Sequence, residues 1–178
     1  MLFLGGFKHP PNIQALEWFI KEVMPLLDLP DDQRILRVVG SHMPESVREF
    51  ASEHIEAIGY VENLADVFDQ ARVFVAPLLF GAGVKGKVLE SMAYGLPIVA
   101  TSVAAEATSL VHGVNSMIAD TPQQFADGIR EVALSPSVWQ AYREGALACV
   151  ERNNSVCNGV WLLSRMLEYL DVVHLNDE

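Results

Sequence analysis

Residues 77–101 read PLLFGAGVKGKVLESMAYGLPIVAT, and this stretch decides the fold. The apolar run 73–76 ends at Pro77, which predicts a buried strand that stops at the proline. Apolar residues recur at helical spacing over 84–94, and Gly95 is a typical C-terminal cap for a helix there. A second apolar run follows the cap. A strand, a turn, a helix and a strand in this order form a βαβ unit, whose two strands lie parallel.

The same alternation of short apolar runs and helical patterns extends along the chain. Further strands are predicted at 2–4, 35–39, 55–58, 97–100 and 116–119. Further helices are predicted at 12–27, 44–52, 64–70, 122–134, 137–153 and 155–173. Right-handed crossovers between successive strands predict one α/β domain over residues 1–178. Its sheet is expected to be Rossmann-like, mostly parallel and doubly wound, with about six strands.

The turn after the strand that ends at Pro77 has the composition of an anion site. Gly81, Ala82 and Gly83 are small enough for their backbone N–H groups to approach a ligand closely. The helix behind them carries roughly +0.5 of a charge at its N-terminus. Lys85 and Lys87 in its first turn oppose that dipole, whereas a diphosphate bound between them would reverse the sign of the lysine contribution. The alternative is two solvated lysines on a surface turn.

Glu90 lies three residues after Lys87, one turn along the same helix. A carboxylate beside the core face of a helix can accept hydrogen bonds from two neighbouring hydroxyl groups, such as those of a ribose. A Lys87–Glu90 surface ion pair explains the spacing equally well. Lys85, Lys87 and Glu90 are therefore the candidate catalytic residues, with both interpretations open.

Composition excludes several classes of function. The net charge of −11 makes a nucleic-acid partner unfavourable, because the phosphate backbone would be repelled. No apolar run is long enough to span a membrane, and the start of the chain lacks the pattern of a signal peptide. The two cysteines, Cys149 and Cys157, lack metal-ligand spacing and are expected to be reduced core residues of a cytoplasmic protein. No metal site is predicted.

The segment 87–101 resembles the C-terminal, donor-binding domain of the GT-B glycosyltransferases of group 1 (family 4). KVLESMAYGLPIVAT is similar to the LEAMA.G.PVVAT segment of that family. The stretch 59–64 matches its G.V..L element, and 112–115 with Asp120 resembles its hG.Ng..v.d turn. The resemblance covers residues 2–153.

The resemblance implies how a nucleotide sugar, such as a UDP- or GDP-sugar, would bind as substrate, without a separate cofactor. Glu90 would hold the donor ribose, and the backbone around Tyr60 and Val61, beside Leu64, would receive the base. The diphosphate would lie on the glycine turn and on Lys85 or Lys87. This binding set is completed by Gly6, Lys8, Gly81, Ala82, Gly83 and Val84.

Two departures from the family pattern concern this site. Ala82 stands where the family often has the first of two glutamates separated by seven residues, which alters contact with the sugar ring. The basic residues that the family carries after the first strand are not clearly present, and Lys8 is the plausible substitute.

The resemblance also implies the rest of the enzyme. We expect an N-terminal acceptor-binding domain, which these residues lack, and an isolated domain that is inactive alone. Transfer to a carbohydrate or glycolipid acceptor is expected to retain the anomeric configuration. The missing half could attach the protein peripherally to the inner face of the membrane. Two alternatives stay open: a non-catalytic nucleotide-binding or interaction module of the same fold, and an epimerase of GT-B shape.

Overall fold

The computed structural model describes residues 1–81, 83 and 85–152. These residues form a single sheet of six parallel strands in the order β3-β2-β1-β4-β5-β6. This order is characteristic of doubly wound nucleotide-binding sheets, and it confirms the predicted fold class. The strands are β1 (Leu2–Leu4), β2 (Leu36–Val39), β3 (Ile55–Gly59), β4 (Phe74–Ala76), β5 (Ile98–Ala100) and β6 (Ser116–Ile118).

Seven α-helices lie within the described residues. They are α1 (Pro10–Trp18), α2 (Glu45–Arg48), α3 (Leu64–Asp69), α4 (Gly86–Tyr94), α5 (Ser102–Ala105), α6 (Pro122–Leu134) and α7 (Pro136–Arg152). The helix α5 was not predicted from the sequence. The helix predicted at 155–173, and Cys157 within it, lie outside the described residues, whereas Cys149 is buried as expected.

The prediction of one regular helix over 12–27 is wrong. The α-helix ends at Trp18, a π-helical turn covers Phe19–Val23, and a 3₁₀ turn covers Met24–Leu26. The physical reason is Pro25, which has no backbone N–H to donate to the carbonyl one turn earlier. The apolar periodicity survives this change, because Phe19 and Val23 are both fully buried.

Two apolar layers cover the two faces of the sheet. On one face, Phe125 of α6 meets Phe19 edge-on, with ring centroids 5.8 Å apart. On the other face, Met92 of α4 packs with Phe74 and Ile98 of the sheet. The helix α7 packs against both α4 and α6. The two central strands, β1 and β4, are therefore buried on both sides, as expected for a parallel sheet.

The strand order reverses between β1 and β4, which are hydrogen-bonded neighbours. From that point the chain moves outward in opposite directions, so the loops after β1 and β4 diverge and leave a crevice at the carboxyl ends of the strands. The loop after β1 is held firmly: Gly5 N donates to Val39 O at 3.0 Å, and Phe7 N donates to Ser41 O at 3.0 Å. One wall of the crevice is thus fixed by the neighbouring strand β2.

Gly40 is required where β1 and β2 end side by side. A Cβ atom at residue 40 would lie 1.7 Å from the carbonyl oxygen of Gly5, which is backbone and cannot rotate away. We expect Gly40→Ala to lower the free energy of unfolding by about 3 kcal/mol, because the two strand ends must separate. Urea denaturation followed by circular dichroism measures the change.

The matched control for this substitution is Gly6→Ala in the same region. A Cβ at residue 6 meets only ordinary contacts, at 3.6 Å from His9 and 3.8 Å from Ser41. The change in stability should stay within about 0.5 kcal/mol. A Gly40→Ala protein as stable as Gly6→Ala would contradict this description of the strand ends.

Candidate functional site

Helix α4 begins at the crevice and ends in the buried layer behind it. Its last turn closes at Gly95, whose φ of 64° is left-handed and whose N–H donates to Met92 O at 3.0 Å. Leu96 N donates to Ser91 O at 3.1 Å, which completes a Schellman-type end. Lys85 is the N-cap residue, and its side chain makes no capping hydrogen bond to the helix. The first-turn amides are therefore not capped by the residue that precedes them.

Lys85 turns back into the loop that connects β4 to α4, here called the β4–α4 loop (residues 77–85). Its Nζ donates to Gly81 O at 3.0 Å and to Gly83 O at 2.9 Å, and the residue is 9% exposed. The ammonium group therefore stabilises the shape of the loop with two of its three protons. The sequence grouped Lys85 with Lys87, but the structure gives the two lysines different surroundings.

Lys87 and Glu90 meet on the first turn of α4. Lys87 Nζ lies 3.5 Å from Glu90 Oε2, and their side chains are 34% and 10% exposed. The carboxylate is therefore almost removed from water, while about a third of the Lys87 side chain remains exposed. This placement agrees with the spacing of the two residues in the sequence. It also sets a hydrogen-bond acceptor and a cation side by side at the positive end of a helix dipole.

The loop after β1 forms the facing wall. Asn12 Nδ2 donates to Gly6 O at 2.8 Å and fixes the backbone there. Lys8 is exposed in the same loop. A Cβ built on Gly81 would lie 4.0 Å from Pro11 Cβ, so the β4–α4 loop rests against the start of α1. Gly6, Lys8 and the glycine turn are thus brought together at the point where the strand order reverses.

The residues expected to receive a base lie at the end of β3. Gly59 takes a left-handed φ of 84°, and Tyr60 after it is 68% exposed. Val61 and Leu64 pack against the apolar layer that contains α4. Asn63 caps the N-terminus of α3, since its side chain accepts from Ala65 N at 3.2 Å. The candidate site therefore extends across the carboxyl ends of four adjacent strands, from β3 to β4.

Sequence reasoning gave no role to a set of polar residues behind the β4–α4 loop. Thr101 is 3% exposed and donates its hydroxyl to Leu78 O. Asp120 accepts from both the backbone N–H and the hydroxyl of Ser102. The signal available in the sequence was a threonine directly before a short run of small residues, a typical helix cap. Ala82 and Val84, two of the predicted site residues, lie outside the described residues.

Comparison with known proteins decides the family. The family model of the glycosyl transferases of group 1 matches residues 1–134. The chain belongs to this family. The resemblance that residues 87–101 carried is thereby confirmed. A protein from Klebsiella pneumoniae, described as an uncharacterized 44.6 kDa protein in the cps region, is 27% identical over 163 residues. That match covers 86% of this chain and 42% of the relative, so the chain spans less than half of that protein.

Two solved structures illustrate the fold that this group 1 chain shares. The HepE protein of Anabaena, solved in complex with UDP and glucose, matches with a TM-score of 0.72 and 14% identity, over 96% of this chain and 47% of HepE. The C-terminal domain of the group 1 glycosyltransferase LpcC of Francisella tularensis matches with a TM-score of 0.66 and 16% identity, over 86% of this chain and 85% of that domain.

Membrane-spanning helices and clusters of metal-binding side chains are both absent among the described residues. Among the described residues, no helix is long and apolar enough to cross a bilayer. Within the same residues, no three His, Cys, Asp or Glu side chains lie close enough together to hold a metal ion.

The role of Lys85 in holding the β4–α4 loop can be tested in the absence of any ligand. Lys85→Met removes the donor that holds Gly81 O and Gly83 O, so backbone hydrogen exchange across residues 79–86 should accelerate by roughly tenfold. Lys21→Met is the matched control, because Lys21 lies in the π-helical turn after α1 and its Nζ donates to Glu17 Oε2 at 3.3 Å. Mass spectrometry of exchanged peptides measures both. Equal exchange in the two variants would contradict the assignment of Lys85 as the residue that holds the loop.

Proposed function

We propose that this chain is the donor-binding half of a glycosyltransferase that uses a nucleoside diphosphate sugar. The observation that carries the proposal is the pairing of Lys87 with the buried Glu90 at the N-terminus of α4. This pair stands beside the crevice between β1 and β4, where doubly wound sheets bind their ligands. A cation for the diphosphate and an acceptor for ribose hydroxyls are the two groups that such a ligand requires.

The electrostatics of the crevice favour the departure of a diphosphate. Breaking the bond between the sugar and the nucleotide leaves negative charge on the diphosphate oxygens. The positive end of α4 and the Lys87 ammonium group are already oriented toward that charge, so they need little reorganisation during the reaction. Lys85 adds a buried positive charge directly behind the glycine turn. In this account the domain acts mainly by stabilising the leaving group.

The comparisons support this assignment. HepE of Anabaena, which shares the fold, was solved with UDP and glucose. We infer that a nucleotide sugar, with UDP or GDP as the nucleotide, lies in the corresponding crevice here. The base would rest on the backbone at Tyr60 and Val61, beside Leu64. The diphosphate would lie between Gly6 and Lys8 on one wall and residues 81–85 with Lys87 on the other.

The second half of the active site belongs to another domain in this proposal. The chain spans 42% of its Klebsiella relative and 47% of HepE. We propose that an N-terminal domain binds a carbohydrate or glycolipid acceptor opposite the donor crevice. We further propose that sugar is transferred with retention of the anomeric configuration, in the cytoplasm or at the inner face of the membrane.

A non-catalytic nucleotide-binding module is the second candidate function. The observation that favours it is Ala82, at the position where the family often has the first of its two glutamates. Without that carboxylate the sugar ring loses one contact, while the nucleotide contacts remain. Both candidates predict nucleotide binding, and they differ in whether the protein with its second domain transfers sugar.

Binding of UDP, GDP, ADP and TDP to the chain, measured by isothermal titration calorimetry, tests the donor site. We expect one nucleoside diphosphate to bind, with Lys87→Met and Glu90→Ala each weakening it by roughly tenfold or more. Affinity should also fall with rising salt, because charge–charge attraction contributes to it.

The matched control is the exposed pair Lys21 and Glu17, whose Nζ and Oε2 atoms are 3.3 Å apart, with Glu17 in α1 and Lys21 in the π-helical turn that follows it. Lys21→Met and Glu17→Ala remove the same chemistry away from α4 and should leave the affinity within about twofold. A wild-type chain that binds none of the four nucleotides would refute the donor site. Equal losses of nucleotide affinity in the variants of both pairs would mean that the effect arises only from the change in the protein's net charge.

The division of the active site predicts that the chain alone transfers no sugar. Incubation with the nucleotide sugar whose nucleotide binds, and with a mixture of glycan acceptors, should release no nucleoside diphosphate above the uncatalysed rate. Fusion of an N-terminal Rossmann-like domain from a group 1 relative should be needed for turnover, and NMR of the product would then show the retained anomeric configuration. Turnover by the chain alone would contradict this division.

A further inference from the structure

Thr101 occupies a buried position directly behind the β4–α4 loop. It follows the last residue of β5, and only 3% of it is exposed. Its backbone N–H donates to Ala76 O at 3.1 Å, and its hydroxyl donates to Leu78 O. One residue therefore holds the chain at two points, immediately after β4 ends. Both contacts are with backbone carbonyl groups of β4 and of the β4–α4 loop.

The hydroxyl of Thr101 is itself oriented by its neighbours. Its oxygen accepts from Ala104 N at 3.2 Å, which caps the short helix α5. The next residue, Ser102, donates its N–H to Asp120 Oδ1 at 2.7 Å and its hydroxyl to the same oxygen at 2.9 Å. Asp120 comes just after β6. A connected set of hydrogen bonds thus joins the carboxyl ends of β6, β5 and β4.

The β4–α4 loop is held at two places by hydrogen bonds from two different side chains. Lys85 holds Gly81 O and Gly83 O from the helix side, and Thr101 holds Leu78 O from the strand side. The loop between the two anchors is where the proposed diphosphate would lie. Preorganised backbone groups bind an anion without first losing conformational freedom, so the anchors should contribute to affinity.

We propose that Thr101 is a positioning residue for the donor site, and that Asp120 acts through Ser102 to set the position of Thr101. The proposal rests on the donor site assigned above and extends it to three residues outside the set assigned to bind the ligand. It also explains the place of Asp120, which the sequence singled out and which has no role in the crevice itself.

Calorimetry with the nucleoside diphosphate that binds most tightly tests the proposal on the 178-residue chain. Thr101→Val preserves the shape of the side chain but removes the donor, and affinity should fall by about tenfold. Thr101→Ser restores the hydroxyl and should bind within about twofold of the wild type. Unchanged affinity in Thr101→Val would overturn the proposal.

Thr121 provides a matched control for the loss of a helix cap. Its side chain caps α6 by accepting from Gln124 N at 3.3 Å, and it has no described contact with the β4–α4 loop. Thr121→Val should lower the melting temperature as Thr101→Val does, but leave nucleotide affinity unchanged. An equal loss of affinity in both variants would show a merely structural effect and overturn the proposal.

The exposed end of the hydrogen-bond set gives a second test that does not disturb the core. Asp120→Asn keeps the Oδ1 acceptor and should bind nucleotide like the wild type, whereas Asp120→Ala should weaken binding by about threefold. A wild type that binds no nucleotide would refute the proposed function. In that case, hydrogen exchange of residues 77–85 still tests whether Thr101 positions the β4–α4 loop. Exchange should be faster in Thr101→Val than in Thr121→Val, and equal exchange would overturn it.

Discussion

The positive end of helix α4 is the constraint on which the rest of this crevice depends. A helix N-terminus with two lysines in or beside its first turn is electrostatically unfavourable unless negative groups offset it. The structure offsets it in two ways: Lys85 donates to two loop carbonyls, and Lys87 lies beside the buried carboxylate of Glu90. In a chain of net charge −11, this local concentration of positive charge is what would draw an anionic ligand to one place.

The sheet supplies the rigidity that the charged groups need. Loops can place ligand-binding groups accurately only when the strands beneath them are fixed. Here β1 and β4 are neighbours buried on both faces, and Gly40 lets β1 and β2 finish in close contact. Asn12 fixes one wall of the crevice, and Thr101 holds the other. The order of the strands therefore sets the position of the crevice, and the hydrogen bonds of its loops hold the two walls there.

Most of the fold could be predicted because parallel strands buried on both sides appear as short apolar runs between helical patterns. The prediction of one regular helix over 12–27 was wrong because the apolar periodicity carries no information about the missing backbone N–H of Pro25. The short helix α5 was not predicted because four residues are too few to show the helical periodicity of apolar side chains. Its first turn is held by Thr101, which accepts from Ala104 N, and by Asp120, which reaches Ser102 N only in the folded chain.

The residue types of the candidate site could be predicted from the sequence, but the separate roles of the individual residues could not. Spacing placed Lys87 and Glu90 one turn apart, and the structure has them 3.5 Å apart. Spacing could not distinguish Lys85 from Lys87, because a flexible side chain is directed by the carbonyls that surround it, and those belong to the tertiary fold. The same holds for Thr101, whose partner Leu78 is 23 residues away in sequence.

A titration of the ¹⁵N-labelled chain with UDP and GDP, followed by NMR, tests most directly whether a diphosphate lies at the end of α4. The account predicts that the largest shifts, with either nucleotide that binds, fall on the amides of residues 83–88 and of the loop after β1. Saturating binding that leaves the Lys87 amide and its ammonium group unmoved, with shifts confined to other surfaces, would contradict it.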